Sequence, residues 1–168
     1  KIVRVALVSL NQKWLDKPAN QDQCLRYLDI AKAKSCDVVI FPEMTLTGYS
    51  VNIEEIAEPD FNSPTLKFFE KASADHNAHI IFGAPMSRKN ATNFTNSLCL
   101  SSPEGKAEIV YKKIHPFSFA GENKFYTPGQ HLGFVDISGV RFGAAICYDL
   151  RFPEMFSAMA RKIDAFIV

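Results

Sequence analysis

Three reactive side chains stand where apolar runs give way to polar turns, and together they suggest covalent hydrolysis. The first is a thiol, in Arg141-Phe-Gly-Ala-Ala-Ile-Cys147-Tyr148-Asp149-Leu-Arg151-Phe-Pro153-Glu154. An apolar strand runs into Cys147, and Pro153 marks a helix start soon after, so the sulfur is expected at a strand-to-helix turn. There the amides and dipole of the next helix would favour a thiolate. The second is a carboxylate, Glu43, following Phe41-Pro42 at the end of another apolar run. The third is an amine, Lys113, in Tyr111-Lys112-Lys113-Ile114-His115. A nucleophile, a base and a cation on three strand ends fit a covalent hydrolase.

Each residue also has a plainer reading. Cysteine in an apolar segment is most often a core residue, although the small Gly143 and Ala145 on its expected face leave room beside the sulfur. Glu43 reads equally as a solvated loop charge. However, the carboxyl ends of strands are where α/β sheets gather their ligands, and a desolvated Glu there acts as a base. Lys113 reads first as half of a surface basic pair with Lys112. Strand alternation puts Ile109, Tyr111 and Lys113 on one face and Lys112 on the other. Glu122, in Gly121-Glu122, could hold the Lys113 ammonium in place. His115 is a possible base or a loop histidine with local hydrogen bonds.

The positioning elements follow from hydrophobic patterning. Ile2–Leu10 reads as a strand covered on both faces, and Asp37–Phe41 as a second buried strand. Between them, Asn20 is expected to cap a helix from about Gln21 to Ser35, with Cys24, Leu25, Leu28 and Ala31 on one face. Ser63-Pro64 opens a helix reaching about Asn77, with Leu66, Phe69 and Ser73 inward. Strands follow at 79–85, 94–100 and 107–112, the last two joined by a turn at Pro103-Glu-Gly105. A long loop, 114–131, is of a length that often serves function. A hairpin around Ser138-Gly139 joins 132–137 to 140–146. A helix from Pro153 to Lys162 and a strand from Ala165 complete the chain. This order implies an α/β protein, a mixed sheet with helices on its outer faces.

Composition narrows the classes. The chain has 168 residues, 47% of them hydrophobic, enough for one domain with a substantial core. Its 19 basic and 18 acidic residues leave a formal charge of +1 with no basic stripe, which argues against nucleic acid as a partner. No apolar run approaches the roughly 18 residues of a membrane span, so no membrane partner is expected. The four cysteines, Cys24, Cys36, Cys99 and Cys147, show no CxxC or Cys/His ligand spacing. No metal or cofactor is expected, and a reducing, cytoplasmic setting fits scattered free thiols. The triplets Asn90-Ala-Thr92 and Asn93-Phe-Thr95 read as chance glycosylation matches. Because Val168 ends the chain inside an apolar run, residues 1–168 are expected to be a single domain truncated on its C-terminal side.

Taken in order, Phe41-Pro42-Glu43, Leu46-Thr47-Gly48-Tyr49, Tyr111-Lys112-Lys113-Ile114-His115, Gly121-Glu122, Pro128-Gly129 and Ile146-Cys147-Tyr148-Asp149-Leu150-Arg151-Phe152-Pro153-Glu154 resemble the carbon–nitrogen hydrolase (nitrilase) superfamily. The resemblance spans the whole chain. It implies an α-β-β-α sandwich with mixed sheets and outer helices, pairing through its helices into a homodimer or higher homo-oligomer. The present residues would be its N-terminal portion, not expected to be stable alone.

The same resemblance implies that Cys147 is the nucleophile, Glu43 the general base and Lys113 the oxyanion-stabilising residue. Glu122 would support the lysine, and the Tyr148 amide would complete the oxyanion hole. The Cys-Tyr-Asp-Leu-Arg-Phe-Pro-Glu stretch is similar to omega-amidase-like members, which implies a small carboxylic amide as substrate and a thioester intermediate. Alternatives are another small amide or carbamoyl compound, acyl transfer with the same residues, or a silent sandwich subunit. Arg151 is a candidate for a substrate carboxylate, or equally for pairing with Glu154.

Overall fold

The computed structural model describes residues 2–87 and 93–168; the triplet Asn90-Ala-Thr92 lies outside them. Strands β1 (Val5–Leu7), β2 (Val38–Ile40), β4 (His79–Ser87), β5 (Phe94–Ser102) and β6 (Lys106–Lys112) form one sheet in that order, with short β3 (Glu58–Pro59) also on β4. The β1–β2–β4 pairs are parallel and the β4–β5–β6 pairs antiparallel, so the sheet is mixed. A second sheet holds β7 (Gly133–Ile137), β8 (Val140–Ala144) and β9 (Ala165–Ile167).

Period-two alternation divides the apolar residues between two cores. Val39, Ile80, Phe82 and Cys99 pack with Cys24, Leu28, Leu66 and Phe69, which come from helices α1 (Lys17–Ala33) and α3 (Pro64–His76). Their strand neighbours Val38, Ile81 and Leu98 turn to the other face and meet Val135, Ile137 and Phe142 of the second sheet. Helix α4 (Pro153–Met159) covers that sheet with Met155 and Met159. The layers therefore run α-β-β-α, as expected. A one-turn helix α2 (Ile53–Ile56) lies in the connection to β3.

Several elements depart from the sequence expectation. Strand β1 has three residues, and Val5 and Leu7 are exposed. Its ladder can be no longer than β2, which ends before Pro42 and offers Val38–Ile40 alone as partners. Helix α1 begins at Lys17, capped by Asp16 accepting from Ala19 N–H at 3.0 Å, with Pro18 in its first turn. Asn20 is instead buried inside the helix. It accepts from Lys13 N–H and donates to the Lys13 and Leu46 carbonyls. Leu25 lies exposed rather than on the inner face. At the 138–139 hairpin, Ser138 (φ 51°) and Gly139 (φ 77°) are both left-handed, matching the twist of the strands they join. The long loop contains two 3-10 turns, Ser118–Ala120 and Glu122–Lys124.

Candidate active site

Glu43 is fixed by its backbone. Met44 turns left-handed (φ 47°) just after β2, and the Gln12 side-chain amide donates to the carbonyls of Glu43, Met44 and Thr45 at 3.1, 2.8 and 3.2 Å. Thr45 ties the turn to β4: its hydroxyl donates to Pro42 O and accepts from Gly83 N–H, while its amide donates to Gly83 O. The approach is so close that a Cβ on Gly83 would lie 2.5 Å from Met44 N and 2.8 Å from Glu43 Cα.

Lys113 reaches the same place because β6 contains a bulge. The β5–β6 register shifts between Leu98 and Cys99: Cys99 pairs with Ile109, but Leu98 pairs with Tyr111. Val110 is the extra residue. Ile109 consequently packs towards the helices and Tyr111 towards the second sheet, so the two do not share a face as strict alternation requires. Lys113 follows Tyr111 to the inter-sheet side. Its N–H donates to Asn96 O and its carbonyl accepts from Gly129 N–H. Gly129 passes so near β6 that a Cβ would stand 2.0 Å from Lys112 O.

The Lys113 side chain is 1% exposed, and its ammonium donates to Glu43 Oε1 at 3.0 Å and to Glu122 Oε2 at 2.9 Å. Burial disfavours its charge, but the Glu43 and Glu122 carboxylates more than offset this and hold it protonated, its pKa raised. Glu122 is fully buried and also accepts from the Phe117 amide. The surface-pair reading of Lys113 is thus excluded, while Lys112 is only partly buried.

The thiol arrives from the second sheet. Strand β8 ends at Ala144, and Cys147 is left-handed (φ 47°) and exposed at the start of a 3-10 turn, Cys147–Arg151. Buried Asp149 organises this elbow. It accepts from Ile146 N–H at 2.9 Å, Tyr111 O–H at 2.7 Å, and His115 N–H and Nδ1–H at 3.0 and 2.8 Å. His115 is therefore a local structural partner, stacked on Phe152 with ring centroids 3.6 Å apart. Glu43 and Cys147 line one small cleft between the sheets, with Ile81, Leu98 and Ala145.

The expectation of a favoured thiolate is reversed. Although the residue is exposed overall, partial desolvation where it lines the cleft raises the Cys147 pKa first, then the Glu43 charge, against a smaller lowering by Lys113; a hydrogen bond with Glu43 adds to the rise. The α-helix begins six residues later at Pro153, too far for its N-terminal dipole to act strongly. Tyr49 stands nearby, its phenol pushed up to about 12 by burial and by the Glu122 charge. Arg151 is exposed and forms no ion pair with Glu154 or any other described residue.

Sequence reasoning missed Asn96, which joins the two carboxylates, and the anchoring role of Asp149. Asn96 left a signal: a poor strand former heading the apolar run Leu98-Cys99-Leu100. Among the described residues, no cluster of three or more His, Cys, Asp or Glu is arranged to hold a metal ion, and no helix is long and apolar enough to cross a membrane.

Residues 4–168 match a family model described as carbon-nitrogen hydrolase. The chain is 31% identical to the 2-oxoglutaramate amidase of Bacillus subtilis (strain 168) over 139 residues, covering 82% of this chain and 53% of that protein. It is 30% identical to the omega-amidase YafV of Yersinia enterocolitica over 153 residues, 90% of this chain and 56% of that one. Among solved structures, a CN-hydrolase superfamily protein from Xanthomonas campestris with an arsenic adduct in its active site superposes with a TM-score of 0.81. It shares 30% identity, over 90% of this chain and 56% of that one. The chain thus spans about half the length of the curated relatives it matches.

Proposed function

The chain belongs to the carbon–nitrogen hydrolase family, and from that premise we propose that it supplies the reacting groups of a cysteine amidase. Cys147 is the nucleophile, Glu43 the proton carrier and Lys113 the oxyanion donor. The observation that carries this reading is the buried Lys113 ammonium, held by two carboxylates beside a thiol on a left-handed elbow. A surface basic pair or a core cysteine would need none of these contacts.

The chemistry follows from the charges. The resting thiol is neutral, so attack requires its proton to leave, and Glu43 is the carboxylate it faces. As sulfur bonds to the carbonyl carbon, the S–H proton passes to Glu43. The carbonyl oxygen gains negative charge, which the Lys113 ammonium and the Tyr148 amide stabilise; that amide makes none of the turn's hydrogen bonds. The C–N bond then breaks, nitrogen takes the proton from Glu43 and leaves as ammonia, and a thioester remains. Water, deprotonated by Glu43, attacks the thioester; the C–S bond breaks, the acid leaves and the thiol regains its proton. Glu122 keeps Lys113 in place and protonated throughout.

The substrate proposed is a small carboxylic amide of the omega-amide type, in line with the relatives named above and the Cys147–Glu154 stretch. Arg151, exposed on the turn that carries the thiol, is the residue we assign to a substrate carboxylate. Scattered free cysteines suit a reducing cytoplasmic setting. Exposed Tyr27 and Ile30 on α1 suit pairing of copies through helices.

The test is ammonia release by the intact protein and its Cys147→Ala variant, across omega-amides of 2-oxo dicarboxylates, other small amides, carbamoyl compounds and nitriles. Release from the omega-amides that falls at least about a thousandfold in the variant is expected. Release by the variant within threefold of the parent refutes the nucleophile assignment.

A further inference from the structure

Asn96 is a polar residue buried on a strand, and its side chain is only half satisfied. It lies on β5, 1% exposed, and its backbone carbonyl accepts from the Lys113 amide. Its side-chain nitrogen donates twice, to Glu43 Oε1 at 2.6 Å and to Glu122 Oε1 at 2.8 Å. The other half of the amide, Oδ1, is buried with no partner among the described residues. Flipping the amide would satisfy nothing, since it would set an acceptor against two carboxylate oxygens. An orphaned buried acceptor is unfavourable, so the two bonds from the nitrogen are what holds the residue in this orientation.

We propose that Asn96 is a positioning residue whose amide nitrogen bridges Glu43 and Glu122 and selects which oxygen of Glu43 handles protons. The inference rests on the amidase reading above. Glu43 Oε1 receives both the Lys113 ammonium and the Asn96 amide. Among the described residues no amide or ammonium donates to Oε2, so it is the oxygen left to take the thiol proton, return it to the leaving nitrogen, and later activate water. Asn suits this place because it donates without titrating. A third carboxylate would repel the two present, and a second cation would neutralise the negative charge that makes Glu43 a base. The groups facing this cluster are Glu43, Glu122, Lys113 and Cys147, with the phenols of Tyr49 and Tyr126 close enough to feel the carboxylates.

The experiment compares the intact protein with N96D, which keeps size and shape but removes both donors, and with N96L, which removes all polarity. Folding is checked by circular dichroism, and kcat, KM and the pH dependence of kcat/KM are measured on the amide that the parent turns over. Both variants are expected to lose about a hundredfold in kcat, the scale of a catalytic group misplaced by an ångström, with KM within threefold. The acid limb of kcat/KM is expected to move up by about half to one pH unit, because a donor that favours the carboxylate form is gone. A matching shift is expected in the pH dependence of Cys147 alkylation by iodoacetamide, a readout independent of substrate.

A folded variant with parental kcat and an unmoved acid limb overturns the proposal. So does failure of both variants to fold, which would make Asn96 a structural residue. Failure of the parent reading looks different: the unaltered protein releases no ammonia, or Cys147→Ala remains active. If N96L alone fails to fold, N96D decides.

Discussion

A single methyl group added at Gly83 tests whether the position of Glu43 controls turnover. Gly83 is not left-handed, so Gly83→Ala is acceptable to the local backbone, and its effect is steric. The new Cβ would stand 2.5 Å from Met44 N and 2.8 Å from Glu43 Cα, while ordinary contact begins at 3.4 Å. The Glu43–Met44 turn must therefore withdraw by ~0.9 Å, the difference between 3.4 and 2.5 Å, or β4 must bow by as much.

The turn has little slack, because Gln12 holds three of its carbonyls and Thr45 fastens it to Gly83 itself. A withdrawal of that size along the Lys113 bond would stretch its 3.0 Å to nearly 4 Å, outside hydrogen-bond range. Displacement of about 1 Å costs roughly a hundredfold in rate, and overpacking of this kind costs about 1–3 kcal/mol of stability. For a protein of this size, the fall in Tm would be about 2–4 °C per kcal/mol.

Ammonia release by the intact protein gives kcat, and thermal circular dichroism gives Tm. Gly105→Ala is the control. It sits at the opposite end of β6 with φ +72° and ordinary contacts of 3.6 Å or more, so it should lower Tm with kcat unchanged. A folded Gly83→Ala protein with kcat within threefold of the parent would refute the claim that Glu43 must be held where it is.

Two further outcomes are expected. In Asp149→Asn, one acceptor oxygen becomes a donor facing either the Ile146 and Tyr111 donors or the two of His115, so stability should fall by about 2–4 kcal/mol in urea unfolding; a loss under 0.5 kcal/mol would show that Asp149 is not the anchor of the elbow. In Glu43→Gln, the charge that helps raise the Cys147 pKa is removed while burial stays. The pKa then falls, more thiolate is present at pH 8, and iodoacetamide should label Cys147 faster even though turnover is lost; labelling no faster than in the parent contradicts the charge argument.

By itself the sequence determined whatever depends on short-range pattern. Alternation sorted Val38 from Val39 and Ile80 from Ile81 between two cores, Ser63-Pro64 opened α3, and Ser138-Gly139 turned the hairpin. The ends of β2, β6 and β8 marked Glu43, Lys113 and Cys147 as chemistry-bearing positions, because polar residues after apolar runs are local events. Only tertiary structure decided how those ends meet. The bulge at Val110 depends on pairing with β5, and without it alternation would turn Lys113 towards the helices. The Glu43–Lys113 bond joins residues 70 apart in the chain. Asn96 joins carboxylates on either side of it in sequence, and nothing in its neighbourhood along the chain foretells two such partners. The protonation of Cys147 followed the same rule. A thiol's pKa sums burial and every nearby charge, and those that prevail here come from segments far away in sequence, brought within reach by the stacking of the two sheets.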